Sequence, residues 1–195
     1  MISWSIELFR SHFFVIDFAI GVAAPLAAWL LYRTGRIGRF PWALFWIGCA
    51  IGLTWEVPMQ TLNAIGGAWA VHGYVRPAPV PNWSIAIVHS FWDGGLFLIG
   101  VGLVRLVRGP AYFSQFSGAE LLVLLAWGQA SELWVELTST FGEAWYYIAK
   151  PLNPALFKFN SQDITLLPQL IWLAAPVVFY FIALRMRGRI VESGL

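Results

Sequence analysis

The chain has 195 residues, 59% of them hydrophobic and only 11% charged, with a mean hydropathy of +0.69. Soluble domains carry about 25% charged residues, so this composition excludes an ordinary soluble protein and describes a polytopic membrane protein. A net charge of +2 without any basic run leaves no footprint for nucleic acid, and a single cysteine, Cys49, excludes an internal disulfide framework or a cysteine-based metal cluster.

Residues 1–10 contain Glu7 and no short apolar core followed by a small-residue cleavage site, so no removable signal peptide is expected and the first helix serves as its own insertion signal. Five apolar segments then reach the roughly 20 residues that a spanning helix needs. They are 12–32, with Asp17 and Pro25; 41–60, with Glu56 and Pro58; 85–104, with His89 and Asp93; 119–139, with Gln129, Glu132 and Glu136; and 166–185, with Gln169, Trp172 and Pro176. The expected fold is all-α, a single five-helix transmembrane bundle over 1–195. Arg33, Arg36, Arg39, Arg105, Arg108, Arg185, Arg187 and Arg189 fall on one side, and Arg10, Arg76, Lys150 and Lys158 on the other. The positive-inside rule then places the N-terminus outside and the C-terminus in the cytoplasm. The two outer connections, 61–84 and 140–165, are long, and the second carries Trp145, Tyr146 and Tyr147, suited to a membrane interface. His12 and His72 read as surface or interface residues.

Placed by depth on these helices, the polar residues coincide. Asp17, Glu56, Gln60, His89, Asp93, Gln129, Glu132, Glu136 and Gln169 all fall in the outer half, while the inner halves are nearly bare. Ionisable side chains tolerate a bilayer only when they face one another or water, so one polar pocket roofed by the long loops is the economical arrangement. His89 and Asp93, one turn apart, share a helical face; so do Glu56 and Gln60, and Gln129, Glu132 and Glu136. Several carboxyls close together in low dielectric cannot all ionise, and groups held in different protonation states are what acid–base chemistry requires. Trp55, Trp92, Trp127, Trp134 and Trp172 fall in the same region, and Trp faces bind cations. The competing readings are interhelical hydrogen bonding and packing, and a Zn or Fe site of His89, Asp93, Glu132 and Glu136, which one histidine serves poorly.

Gln169-Leu170-Ile171-Trp172-Leu173-Ala174-Ala175-Pro176 is similar to the Asn-x-x-Trp-x-x-x-Pro of the last helix in the EXPERA family, which includes sterol isomerases and the sigma-2 receptor. Gly128-Gln129 followed by Glu132 resembles the family's Gly-Gln with an acid one turn on. Glu56 matches its helix-two glutamate, and His89 stands about where the family has a functional glutamate. The family's histidine one turn before the helix-two glutamate is replaced here by Gly52. Trp55-Glu56 also resembles the Trp-Glu of fungal membrane terpene cyclases.

Together the pocket and the resemblance imply an intramembrane, cofactor-independent isomerase or cyclase that takes an apolar isoprenoid or sterol-like lipid through a carbocation. The expected catalytic residues are Glu56, His89, Asp93 and Glu132. Asp17, Trp55, Trp92, Gln129, Glu136, Gln169 and Trp172 are expected to bind substrate, with no metal. The alternatives are a non-catalytic lipid-binding protein and a subunit of a membrane complex. A multi-pass protein of the bacterial inner membrane or endoplasmic reticulum is expected, with a homodimer open to it.

Overall fold

The computed structural model describes residues 2–192, with side chains described over 4–188, so the side chain of Arg189 lies outside the described residues. Five long helices carry the chain: α1 (Ile2–Arg33), α2 (Arg39–Ile65), α3 (Asn82–Arg108), α4 (Gly118–Phe141) and α5 (Leu166–Glu192). Each satisfies its own peptide groups along its length, the condition that hydrocarbon imposes on a spanning segment. α1 begins well before the apolar segment does, because nothing in Ile2–Ser11 breaks a helix. α2 stops at Gly66, whose φ of 76° lets its N–H turn back to Leu62 O at 3.1 Å.

α1, α2, α3 and α5 are long and apolar enough to cross a membrane. α4 has 24 residues, enough by length, but Glu120, Glu132 and Glu136 lower its hydropathy. Apolar side chains cover both sides of the helices. Leu44, Phe97, Val104 and Phe179 form a core, while Leu26, Leu30, Ile99, Leu122, Val178 and Phe181 are exposed. A helix that is apolar all round suits a bilayer or the centre of a large protein.

α2 and α3 form the most extensive helix pair. Their approach depends on Gly94, where a Cβ would collide with Cys49 Sγ and lie 2.9 Å from Phe45 O. The chain is mostly helical, as an all-α membrane protein requires, but the long connections add short strands. Strand β1 (His72–Tyr74) pairs antiparallel with β2 (Trp145–Tyr147), His72 opposite Tyr147. Strands β3 (Ala155–Phe159) and β4 (Gln162–Thr165) form a hairpin turning at Asn160 and Ser161, both with positive φ. These strands have three to five residues, too short to show a period of two, and the first ribbon joins segments over seventy residues apart.

Both ribbons lie at the end of the bundle where α2 and α4 finish and α3 and α5 begin. At the opposite end, Glu120 is fully buried and locks α4. It accepts hydrogen bonds from Arg108 Nε (3.2 Å), Phe113 N (3.1 Å) and the Tyr180 hydroxyl (3.1 Å), joining α3, α4 and α5. Glu120→Ala would leave the Phe113 N–H and the Tyr180 hydroxyl without this acceptor. It is expected to lower unfolding stability by about 2–4 kcal/mol, read as a shifted thermal midpoint in detergent, with Glu120→Gln retaining part of the loss.

Candidate active site

A cavity of about 630 Å³ lies at the ribbon end of the bundle, and all five helices and β2 line it. α1 contributes Asp17, α2 contributes Trp55 and Glu56, and α3 contributes His89, Trp92 and Asp93. α4 supplies Trp127, Glu132 and Trp134, α5 supplies Trp172, and Trp145 and Tyr147 of β2 form the roof. Of the polar residues that share a depth along the helices, Asp17, Glu56, His89, Asp93 and Glu132 converge on this cavity.

His89 is the centre of the polar wall. Its Nε2 donates to Asp17 Oδ2 at 3.1 Å, and its Nδ1 lies 3.6 Å from Glu56 Oε2. The imidazole plane is thus fixed by two carboxylates from two other helices. Trp92 Nε1 donates to Asp17 O at 2.9 Å, which ties α1 to α3 beside this contact. Trp145 packs over the His89 ring with centroids 5.3 Å apart. Asp17, expected to touch substrate, lines the cavity and also holds His89. His89 and Asp93 share a face of α3, but among the described residues no hydrogen bond or ion pair joins them, and the ring turns toward α1 and α2.

Asp93 and Glu132 are buried lining residues with a different character. Asp93 Oδ2 and Glu132 Oε1 have no hydrogen-bond partner among the described residues. A buried polar atom left without a partner costs about 1–3 kcal/mol, so neither oxygen is placed by a hydrogen bond of the fold. Asp93 fits because position 52 is glycine. A Cβ on Gly52 would collide with Asp93 Oδ2 and lie 2.9 Å from Asp93 Cβ. The aromatic wall is built by packing: Trp172 stacks on Phe97 at 5.4 Å and meets Trp55 edge-on at 5.8 Å. Trp127 Nε1 donates to Leu96 O at 2.8 Å, which leaves its ring against the cavity.

Gln129, Glu136 and Gln169 do not line the cavity, which corrects their expected role in binding. Glu136 accepts from Thr165 N (2.9 Å) and Gln169 Nε2 (3.0 Å), and Gln129 Nε2 donates to Gln169 O (3.0 Å). These three clasp α4 to the start of α5. Among the described residues no three His, Cys, Asp or Glu side chains are grouped to hold a metal ion. The set once open to a metal is divided, with His89 facing α1 and α2 and Glu136 facing Thr165.

Ile16 and Ile20 of α1 and Ala130 and Trp134 of α4 line the cavity and are also exposed, Trp134 by 69%. The cavity therefore opens sideways between α1 and α4. The two helices close up at their ribbon ends, where Arg10 Nε donates to Phe141 O at 3.1 Å.

Sequence reasoning misplaced His72. It is buried, with its Nε2 3.2 Å from the Tyr74 hydroxyl, and burial pulls it down to about 4, helped by the nearby His89. Burial likewise pushes the Tyr74 hydroxyl up to about 12. Tyr74 donates to Gln60 Oε1 at 3.4 Å. The one sequence signal was the aromatic density of Trp145-Tyr146-Tyr147, which needs a strand partner.

No protein-family profile, curated protein or solved structure matches the chain.

Gly52→Ala is expected to destabilise by about 1–3 kcal/mol through overpacking and to push Asp93 from its place. Gly102→Ala, where a Cβ meets nothing within 4 Å, is expected to be neutral or stabilising by up to about 1 kcal/mol. Parallel thermal unfolding of the two variants checks the contrast.

Proposed function

We propose that the chain is a five-span membrane protein, N-terminus outside, that isomerises or cyclises an apolar isoprenoid or sterol-like lipid by acid–base chemistry. The observation that carries this reading is the pair of unpartnered carboxyl oxygens, on Asp93 and Glu132, in an aromatic cavity across which His89 is held by two other carboxylates. The volume of about 630 Å³ falls within the range of small-molecule sites. The sideways opening between α1 and α4 suits a substrate dissolved in the bilayer.

In this reading Asp93 or Glu56 delivers a proton to one carbon of a double bond. The positive charge that develops on the substrate is stabilised by the faces of Trp172 and its neighbours. His89 or Glu132 then takes a proton from an adjacent carbon, so a shifted double bond or a closed ring forms with no net gain or loss of protons. Asp93 is the better acid because Glu56 is engaged with His89. No cofactor is called for. The EXPERA-like residues in α2, α4 and α5 support the same chemistry, with the histidine moved to α3.

A second reading, a lipid-binding protein without turnover, is favoured by one feature: both nitrogens of His89 already face carboxylates. Incubating the purified protein with isoprenoids and sterols, followed by mass spectrometry and chromatography of the lipids, separates the two. Conversion by the wild type is expected, with Asp93→Asn, Glu56→Gln and His89→Ala each lowering kcat by about 10²-fold or more. Undiminished conversion by all three variants would sink the catalytic assignment, and a lipid retained but never converted would establish the second reading.

A further inference from the structure

Beside the main cavity lies a second void of about 20 Å³. It is bounded by Glu56, Met59, Gln60 and His89 from the helices and by His72, Tyr74, Trp145 and Tyr147 from the β1–β2 ribbon. A space of this size holds about one water. Its wall is rich in hydrogen-bonding groups, which a water requires: the Glu56 carboxylate, the Gln60 amide, the His89 and His72 rings and the Tyr74 and Tyr147 hydroxyls.

The groups beyond the void are connected. The Tyr74 hydroxyl lies 3.4 Å from Gln60 Oε1 and 3.2 Å from His72 Nε2. It has one proton and two neighbours able to accept it. Asn63 Oδ1 accepts from His72 N at 3.2 Å and fixes the strand that carries the ring. A neutral imidazole has one N–H and one bare nitrogen, so it accepts a proton on one side while releasing one on the other. Burial keeps His72 in that form at neutral pH. Neither His72 nor Tyr74 is used in the lipid chemistry, yet His72 is buried and Tyr74 half-buried.

The acid–base reading creates a need that these residues meet. After each turnover the acid has lost a proton and the base has gained one. The cavity cannot restore them from its own mouth, because that mouth lies between the exposed apolar faces of α1 and α4. Trp145 lies over His89 and packs against Phe13 with centroids 5.3 Å apart, covering the ring from the ribbon side.

We propose that the small void is a single-water site and that, with Tyr74 and His72, it forms a proton path linking His89 and Glu56 to the aqueous face at the ribbon end. The path rests on the acid–base reading for its purpose, though not for its geometry. Each step moves one proton from an N–H or O–H to a lone pair on the next group: from His89 Nδ1 to the Glu56 carboxylate it faces, to the water, to Tyr74 and to His72, which stands in strand β1 at the ribbon end. Protons return to Glu56, which borders the void, by the same groups in reverse, and no electron is transferred. His72 and Tyr74 are positioning residues in this scheme, since they do not touch the lipid.

The test uses the full chain, labelled with ¹⁵N-histidine, in lipid nanodiscs. Its three histidines give separately assignable ring signals. Exchange of the His89 ring N–H on transfer to D₂O is measured in the wild type, Tyr74→Phe, His72→Phe and, as a control off the path, His12→Gln. Exchange is expected to slow on the order of tenfold or more in Tyr74→Phe and His72→Phe and to stay at the wild-type rate in His12→Gln. Unchanged or faster exchange in both path variants overturns the proposal, whether or not the protein turns over a lipid. Where the wild type converts substrate, Tyr74→Phe should keep the single-turnover rate and lose steady-state rate, a split that a packing defect would not produce. An equal loss in both rates would contradict the path. Failure to convert any lipid would instead remove the catalytic reading while leaving the exchange result decisive for the path.

Discussion

The arrangement depends on one contact: the His89 imidazole between Asp17 on α1 and Glu56 on α2. An ionisable group within an apolar helix costs several kcal/mol unless a partner meets it. Here three helices each contribute one such group and the groups meet one another. That requirement brings α1 against α3, where Trp92 adds its hydrogen bond to the Asp17 carbonyl. It also draws α2 and α3 close enough that Gly52 has no space for a side chain. Beside the clamp, Asp93 Oδ2 and Glu132 Oε1 have no hydrogen-bond partner among the described residues, and both side chains line the cavity.

The two ends of the bundle solve opposite problems. At the ribbon end, polar groups surround a cavity and the ribbons cover them. At the other end, Glu120 fills a fully buried site and its acceptors are used by Arg108, Phe113 and Tyr180. The first end keeps carboxyl oxygens of Asp93 and Glu132 unpartnered, and at the second both oxygens of Glu120 are used, among the described residues. This asymmetry separates the candidate site from the structural lock, although each contains a buried glutamate.

Much of this was legible in the residues. The apolar segments and their spacing fix the helices, and Asp17, Glu56, His89, Asp93 and Glu132, among the polar residues that share a depth, also share a cavity. What could not be read was which partner each group takes. A helical face shows that His89 and Asp93 are neighbours on α3, but the ring is rotated toward Asp17, far earlier in the sequence. Glu136 has the same spacing from Glu132 that a second catalytic carboxyl would have, yet the peptide N–H of Thr165 and the Gln169 amide occupy it. His72 reads as a surface or interface residue because its cover, Tyr147, comes from a strand pairing that no local pattern reveals. Gly52 departs from the resembling family's histidine, and the departure has a steric counterpart: Asp93 occupies the space that a side chain there would need.

The central claim is that the cavity between the aromatic wall and the His89 clamp receives the lipid. Photolabelling of the protein in nanodiscs with a diazirine-bearing isoprenoid, followed by peptide mapping, tests it most directly. Labelling is predicted on α1 around Ile16 and Ile20 and on α4 around Trp127 to Trp134, competed away by unlabelled lipid and reduced when Trp172 is replaced by alanine. Competable labelling confined to the opposite end, around Leu44 and Val104, or spread evenly over the lipid-facing surface, would contradict the account.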